Sequence, residues 1–200
     1  MPNLSRASVR RALAGLVAVA VVPALAVPAQ AASTAVEDAV SDMWTLNQDP
    51  ESDAAFVKAP GAREGDFVRT SYAHTERRVV VTAKFREIAK VGGRLYFSTR
   101  MRDQDGKKHI VNVIATRTNR AGRATLTTYG GERVACDVVH RIDYAKDRIR
   151  ASFPRTCIDS PRRLEFTSAL YRVVGGTWYL DNPHNQRAMA RGWTSAVRAG

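Results

Sequence analysis

The chain has 200 residues, a formal net charge of +12, 44% hydrophobic and 25% charged residues, and two cysteines. These proportions suit one globular domain with a sizeable core and exclude wholesale disorder. The cation excess favours anionic partners such as teichoic acids, other acidic polymers, phospholipid head groups or nucleic acid, and solubility or a proteome-wide arginine bias accounts for it equally well.

Residues 1–31 have the three parts of an export signal. Arg6, Arg10 and Arg11 form a basic start with no acid before Glu37, and a fifteen-residue apolar stretch runs from Ala12 to Ala26. Ala29-Gln30-Ala31 then presents small residues at both positions a signal peptidase reads, which places the cut before Ala32. The stretch is shorter than the roughly twenty apolar residues of a membrane span, and nothing later is apolar enough, so a secreted, extracellular protein with no integral membrane span is expected. Arg10-Arg11 loosely resembles a twin-arginine signal, with an ordinary basic start as the plainer account. The leader holds three of the cations and no acid, so most of the excess charge stays with the remaining domain of about 169 residues.

Segment 32–65 reads as a lead-in. Val36, Val40, Met43 and Trp44 recur at helical spacing behind Ser33 or Thr34 as an N-cap, which predicts a short amphipathic helix, followed by a flexible linker through Pro60, Gly61 and Gly65. From Asp66 the period changes to two. Val79, Val81, Ala83 and Phe85 alternate with Thr82, Lys84 and Arg86, and Leu95, Phe97 and Met101 alternate with Tyr96, Ser98, Arg100 and Arg102. Ile149, Ala151 and Phe153 alternate with Arg148, Arg150 and Ser152. Such runs are strands with one apolar and one solvated face.

Turn signals at Thr75-Glu76, Gly92-Gly93, Asp105-Gly106, Ala121-Gly122, Gly130-Gly131, Lys146-Asp147 and Gly175-Gly176 divide the chain. Strands are predicted near 66–74, 78–88, 94–102, 109–117, 123–129, 134–143, 148–154 and 164–174, with a ninth near 177–180. The fold expected is all-β: an antiparallel β-sandwich of about eight or nine strands over 66–180, with a barrel as the alternative that strand counting leaves open. Segment 181–200 reads as a basic tail with Arg187, Arg191, Arg198 and a lone Trp193.

In an exported chain, Cys136 and Cys157 are the only pair available for a disulfide. Closing their loop of about 22 residues stabilises the fold by roughly 3 kcal/mol in the chain-entropy account.

Tyr72-Ala73-His74-Thr75 leads into Arg78-Val79-Val80-Val81 and Phe85-Arg86, and Phe153-Pro154-Arg155-Thr156-Cys157-Ile158 precedes Pro161 and a strand from Leu164. Together these pieces resemble a group of small exported actinomycete β-sandwich proteins with a Pro-Arg-x-Cys-Leu segment, over roughly residues 66–175. The resemblance implies the sandwich and the pairing of Cys157 with an earlier cysteine, here with Ile158 in place of leucine, and implies no activity. The implied sandwich also looks like carbohydrate-binding modules, an analogy of fold alone.

Catalytic and metal motifs are sparse. His74, His109, His140 and His184 are widely separated, with no HExxH or His-x-His pair, and His140 reads as a hydrogen-bonded core histidine. Asp103-Gln104-Asp105-Gly106 has the opening of a calcium loop without its continuation and reads more simply as a hairpin turn. Asp181-Asn182-Pro183-His184-Asn185 groups oxygen and nitrogen donors that usually serve turns and caps, and is the second candidate for a metal. No G-x-S-x-G elbow exists and paired carboxylates are hard to place, so neither a catalytic residue nor a cofactor nor a metal ligand is assigned.

The surface with most content is basic and partly aromatic: Lys84, Arg86, Tyr96, Arg100 and Arg102, brought together if their strands form a meander, with Arg148 and Arg150 extending it or lying on the other sheet. Arginines hold carboxylate, phosphate or sulfate in bidentate fashion and an aromatic ring stacks on a sugar or base, whereas outward arginines that merely guard sheet edges are the plainer alternative. The function expected is a non-enzymatic binding module for an anionic or carbohydrate polymer of the cell envelope or surroundings, with nucleic acid not expected as the partner in vivo. A small secreted hydrolase with a histidine-centred or metal site is the alternative, and a loop-presenting inhibitor a third reading.

Overall fold

A computed structural model describes residues 32–46, 55–89, 93–185, 187–188 and 192–200. The segment predicted to be an export signal, 1–31, lies outside the described residues. Thirteen strands and no α-helix occur among those described, all paired antiparallel.

The alternating segments become strands close to where the sequence puts them. They are β4 (Phe67–His74), β5 (Arg78–Phe85), β6 (Leu95–Asp103), β7 (Lys108–Ala115), β8 (Arg123–Thr128), β9 (Val139–Asp143), β10 (Arg148–Pro154), β11 (Arg163–Val174) and β12 (Thr177–Asp181). The expected turns lie between consecutive strands, apart from Gly92, which is outside the described residues. One strand is shorter than its pattern: 134–138 forms a connection, and pairing begins only at Val139.

The predicted N-terminal helix is replaced by strands. β1 (Ala32–Glu37) pairs along β4 from Ala32–His74 to Glu37–Arg69, and β2 (Trp44–Leu46) and β3 (Phe56–Lys58) extend the other sheet. The helical stripe fails in three dimensions, since Met43 is fully buried while Val40 is about half exposed. A short helix is marginal in water, whereas the open edge of β4 offers a whole row of backbone partners. The described parts of segment 32–65 are therefore no free linker, because they contribute strands to both sheets. The C-terminal segment is docked too: β13 (Val197–Arg198) pairs with the start of β11, and Val197 enters the core.

The smaller sheet has the order β1-β4-β5-β10-β9. The larger runs β3-β2-β12-β11-β6-β7-β8, with β13 beside β11, and no strand is shared between the two. Their apolar faces meet in one core, a β-sandwich-like arrangement. Phe67 and Phe85 of the smaller sheet pack on Phe97 of the larger at 6.3 and 6.4 Å between ring centroids, and Tyr72 stacks on Phe166 at 4.7 Å.

Cys136, in the β8–β9 connection, is bonded to Cys157 in a 3₁₀ turn after β10, with the Cα atoms 5.9 Å apart. The link fastens the chain where it passes from the larger sheet to the smaller. Among the described residues no helix is long and apolar enough to cross a membrane.

Candidate functional site

The five residues predicted for one basic face do not stay together, and Arg148 and Arg150, expected to extend that face or lie on the other sheet, are on the smaller sheet away from β6. Lys84 on β5 and Arg148 and Arg150 on β10 point outward from the smaller sheet, where Lys84 stands opposite Arg148. Tyr96, Arg100 and Arg102 point outward from β6 in the larger sheet. The expected meander does not form, because β5 pairs with β4 and β10 while β6 pairs with β11 and β7. Most of the smaller-sheet group is engaged locally. Lys84 donates to the Lys146 carbonyl at 2.7 Å and Arg148 lies 3.9 Å from Asp143. Arg86 is withdrawn altogether, donating to Asp66 Oδ2 at 2.8 Å and to Ser41 Oγ at 2.6 Å.

On the larger sheet, β6 carries an outward row of Tyr96, Ser98, Arg100 and Arg102. At about 3.4 Å per residue the row is about 20 Å long. A cleft lies at each end.

Beside Tyr96 a cleft of about 260 Å³ is lined by Arg94, Tyr96, Ile114, Thr116, Asn119 and Arg123. The Tyr96 hydroxyl donates to Asn112 Oδ1 at 2.9 Å and its ring meets Tyr171 edge-on at 5.9 Å, which fixes the ring's plane. At the other end Arg102 is paired with Glu165 and lies over the Trp193 ring at 4.8 Å. A cleft of about 490 Å³ opens there, lined by Gln104, Arg162, Arg163, Arg198 and Ala199, and a neighbouring one of about 170 Å³ shares Gln104 and Arg163 and adds Arg102.

The larger cleft is built by backbone contacts. Gln104 Oε1 accepts from the amides of Arg162 and Arg163 at 3.1 and 3.2 Å, and Arg163 is the register partner of Arg198. Arg94, Arg100, Arg123, Arg162, Arg163 and Arg198 have no carboxylate partner among the described residues. Cations left unpaired around a cleft keep their donors for an anion.

Three of the four histidines have hydrogen-bond partners, in separate places. His74 Nδ1 meets the Val197 carbonyl, and His140 Nε2 meets the Ala121 carbonyl at the smaller sheet's edge. His184 Nε2 lies 2.9 Å from the Tyr72 hydroxyl, which donates to Ser168 Oγ, itself 2.8 Å from Thr99 Oγ1. If Tyr72 donates to Ser168, the His184 ring must supply the proton in their own bond. Burial lowers the His184 pKa to about 4 and pushes Tyr72 upward. Ser168 is buried within the core, so this chain reads as a polar bridge between the sheets. No two histidines share a partner, and none belongs to a group with metal-ligand spacing among the described residues.

The Asp103-Gln104-Asp105-Gly106 loop is the hairpin turn of its plainer reading. Asp103 Oδ1 accepts from the amides of Asp105 and Lys107 at 2.9 Å each, and Gly106 takes a φ of 80°. In the second candidate, Asn182 caps a turn by accepting from the amides of His184 and Asn185.

Asp181 of that stretch joins a group the sequence does not reveal. One carboxylate oxygen each from Asp38, Asp42, Asp66 and Asp181 lie within 4.8 Å of one another. Asp38 and Asp42 sit on the link from β1 to β2, Asp66 precedes β4, and Asp181 ends β12, so the group stands where the two sheets join.

Local geometry holds Asp66 and Asp181 in place. Gly65, just before Asp66, takes a φ of 98° and passes so close to Leu170 that a Cβ on it would stand 2.4 Å from that side chain. Ser41 takes a left-handed φ of 71° and donates its amide to Asp66 Oδ2 at 2.9 Å. Asp181 Oδ2 accepts from the Phe67 amide at 2.6 Å.

Like charges this close and this buried resist ionisation. Burial, then Asp181 and Asp42, push Asp38 to about 9, and burial chiefly pushes Asp181 to about 7 and Asp42 upward. Separations of 4, 24 and 115 residues carry no spacing signal, so only the fold assembles the group.

No protein-family model matches the chain, and no curated protein matches its sequence at a significant level.

Proposed function

We propose that this protein is an exported, non-enzymatic binding module for an anionic polymer, carbohydrate or otherwise, of the cell envelope or surroundings. The ligand lies along the outer face of the larger sheet, with Tyr96, Arg94 and Arg123 holding one end and Arg162, Arg163 and Arg198 the other. Arg100 and Arg102 bridge the two. The observation that carries this reading is the 20 Å outward row of β6, with arginines that lack carboxylate partners around the clefts at both ends. Arginine forks recognise carboxylate, sulfate or phosphate, and the fixed Tyr96 ring offers a sugar a flat apolar surface. The leader and the disulfide between Cys136 and Cys157 support an oxidising, extracellular setting.

The test is retention of the purified chain on insoluble polysaccharides and cell-wall fragments at low and high salt. Retention that collapses with salt, and that is lost when Arg162, Arg163 and Arg198 are replaced by alanine, is the expected result. Salt-resistant retention abolished by Tyr96→Ala moves the assignment to stacking on neutral sugar. No retention on any polymer ends the binding-module reading.

A further inference from the structure

Apart from the arginine face, the molecule holds one arrangement that stability alone does not explain. Four carboxylates converge at the junction of the sheets, and among the described residues only Asp66 has a cation directly on it, Arg86 at 2.8 Å. Three of the four also keep a buried oxygen without a donor among the described residues: Asp38 Oδ2, Asp42 Oδ1 and Asp66 Oδ1. Asp66 has no exposed surface at all, so its free oxygen cannot be satisfied by bulk water. A buried acceptor left in this state is costly, and three in one cluster point to a cation as their partner.

We propose that Asp38, Asp42, Asp66 and Asp181 form a binding site for a divalent cation of calcium's size. An oxygen-only donor set selects a hard ion over zinc or copper. Calcium takes oxygens at 2.3–2.6 Å, so its ligands lie within about 5 Å of one another, and the four aspartates already meet that span at 4.8 Å. Two of the four are held by hydrogen bonds away from their free oxygens. Asp66 uses Oδ2 for Arg86 and the Ser41 amide, and Asp38 uses Oδ1 for the Ala39 amide. Two positive charges from the ion, with Arg86, balance most of the four negative ones. Because the ligands come from the β1–β2 link, the approach to β4 and the end of β12, the ion ties the N-terminal segment to both sheets.

The site does not depend on the polymer-binding reading, and its test is separate. The purified chain, stripped with EGTA, is melted and titrated calorimetrically with CaCl₂ and with MgCl₂. Calcium at a hundredfold excess over its Kd should raise Tm by roughly 5–10 °C, with one ion bound per chain. Magnesium should raise it less, because it demands shorter bonds and stricter octahedral geometry.

Asp38→Asn separates the ion from a merely structural role. Without calcium, near neutral pH, the variant should melt close to the parent, since Asp38 there already carries a proton and asparagine replaces a neutral group. With calcium it should fail to rise. Absence of bound calcium in the calorimetry of the unmodified chain overturns the proposal, whatever the variants do, and so does an Asp38→Asn variant that gains as much from calcium as the parent. A magnesium effect equal to that of calcium overturns the assignment to a calcium-sized ion.

Discussion

The two charged regions of this protein handle like charge in opposite ways. On the outer face of the larger sheet arginines are spread along 20 Å of strand and around open clefts, where water screens their repulsion and no local partner is needed. At the sheet junction one carboxylate oxygen from each of four aspartates is drawn within 4.8 Å, and burial first, then the same repulsion, suppresses ionisation of Asp38, Asp42 and Asp181. Exposed like charges can wait for a ligand at little cost to the fold. Buried ones need a counter-ion, a proton or a neighbouring cation to be tolerated, so the junction is coupled to stability and the face is not.

Changes at the junction should therefore act on stability and changes at the face on binding. The largest effect is expected from Asp66→Ala, which strips Arg86 of its ion pair and leaves the Ser41 amide without its acceptor. A loss of about 2–4 kcal/mol in urea unfolding is predicted. A loss under about 0.5 kcal/mol would show that the junction is not the strained region.

Next, replacing Arg162, Arg163 and Arg198 together by alanine should weaken polymer retention at least about tenfold while moving Tm by no more than about 2 °C, as for exposed charges without partners. A large fall in Tm would collapse the contrast between the two regions.

Acid sensitivity sharpens the comparison from the neutral core. His184 is held near pKa 4 in the fold against 6.5 when unfolded. The unfolded chain thus binds the extra proton between those values, and the parent should lose several degrees of Tm relative to His184→Gln as pH falls from 6.5 to 4. His74, lowered by burial as well, acts in the same direction and is common to both chains.

The smallest effect is expected from alanine at Lys84, Arg148 and Arg150. These lie on the opposite sheet, so polymer retention should remain within about twofold of the parent. A loss equal to that of the Arg162, Arg163 and Arg198 variant would relocate the ligand face.

Much of the fold was legible in the chain. Alternation in β5, β6 and β10 named the inward residues Val79, Val81, Phe85, Leu95, Phe97, Ile149 and Phe153, all of them buried in the core. The glycine and aspartate turns marked the strand ends, and the two cysteines form the expected bond. The lead-in misled because Val36, Val40, Met43 and Trp44 fit a helical period, while the deciding term, a free edge on β4, is a property of the assembled sheet. At the candidate face, Tyr96, Arg100 and Arg102 were found and Arg94, Arg123, Arg162, Arg163 and Arg198 were not assigned to it, since no spacing tells which loops close over a strand. Arg86 carried the same outward signal as Lys84, yet its partner Asp66 lies twenty residues earlier and claims it.

By itself the sequence determined the all-β class, the inward and outward face of each long strand, the turn positions and the pairing of its only two cysteines. Those features depend on side-chain period, backbone preference and redox chemistry, which act over a few residues or leave no choice of partner. The tertiary structure alone decided which strands are neighbours, that Lys84 and Arg100 belong to different sheets, and that aspartates 38, 42, 66 and 181 meet. Strand order is set by long-range burial and edge pairing, and a site gathered from four distant segments exists only once that order is formed.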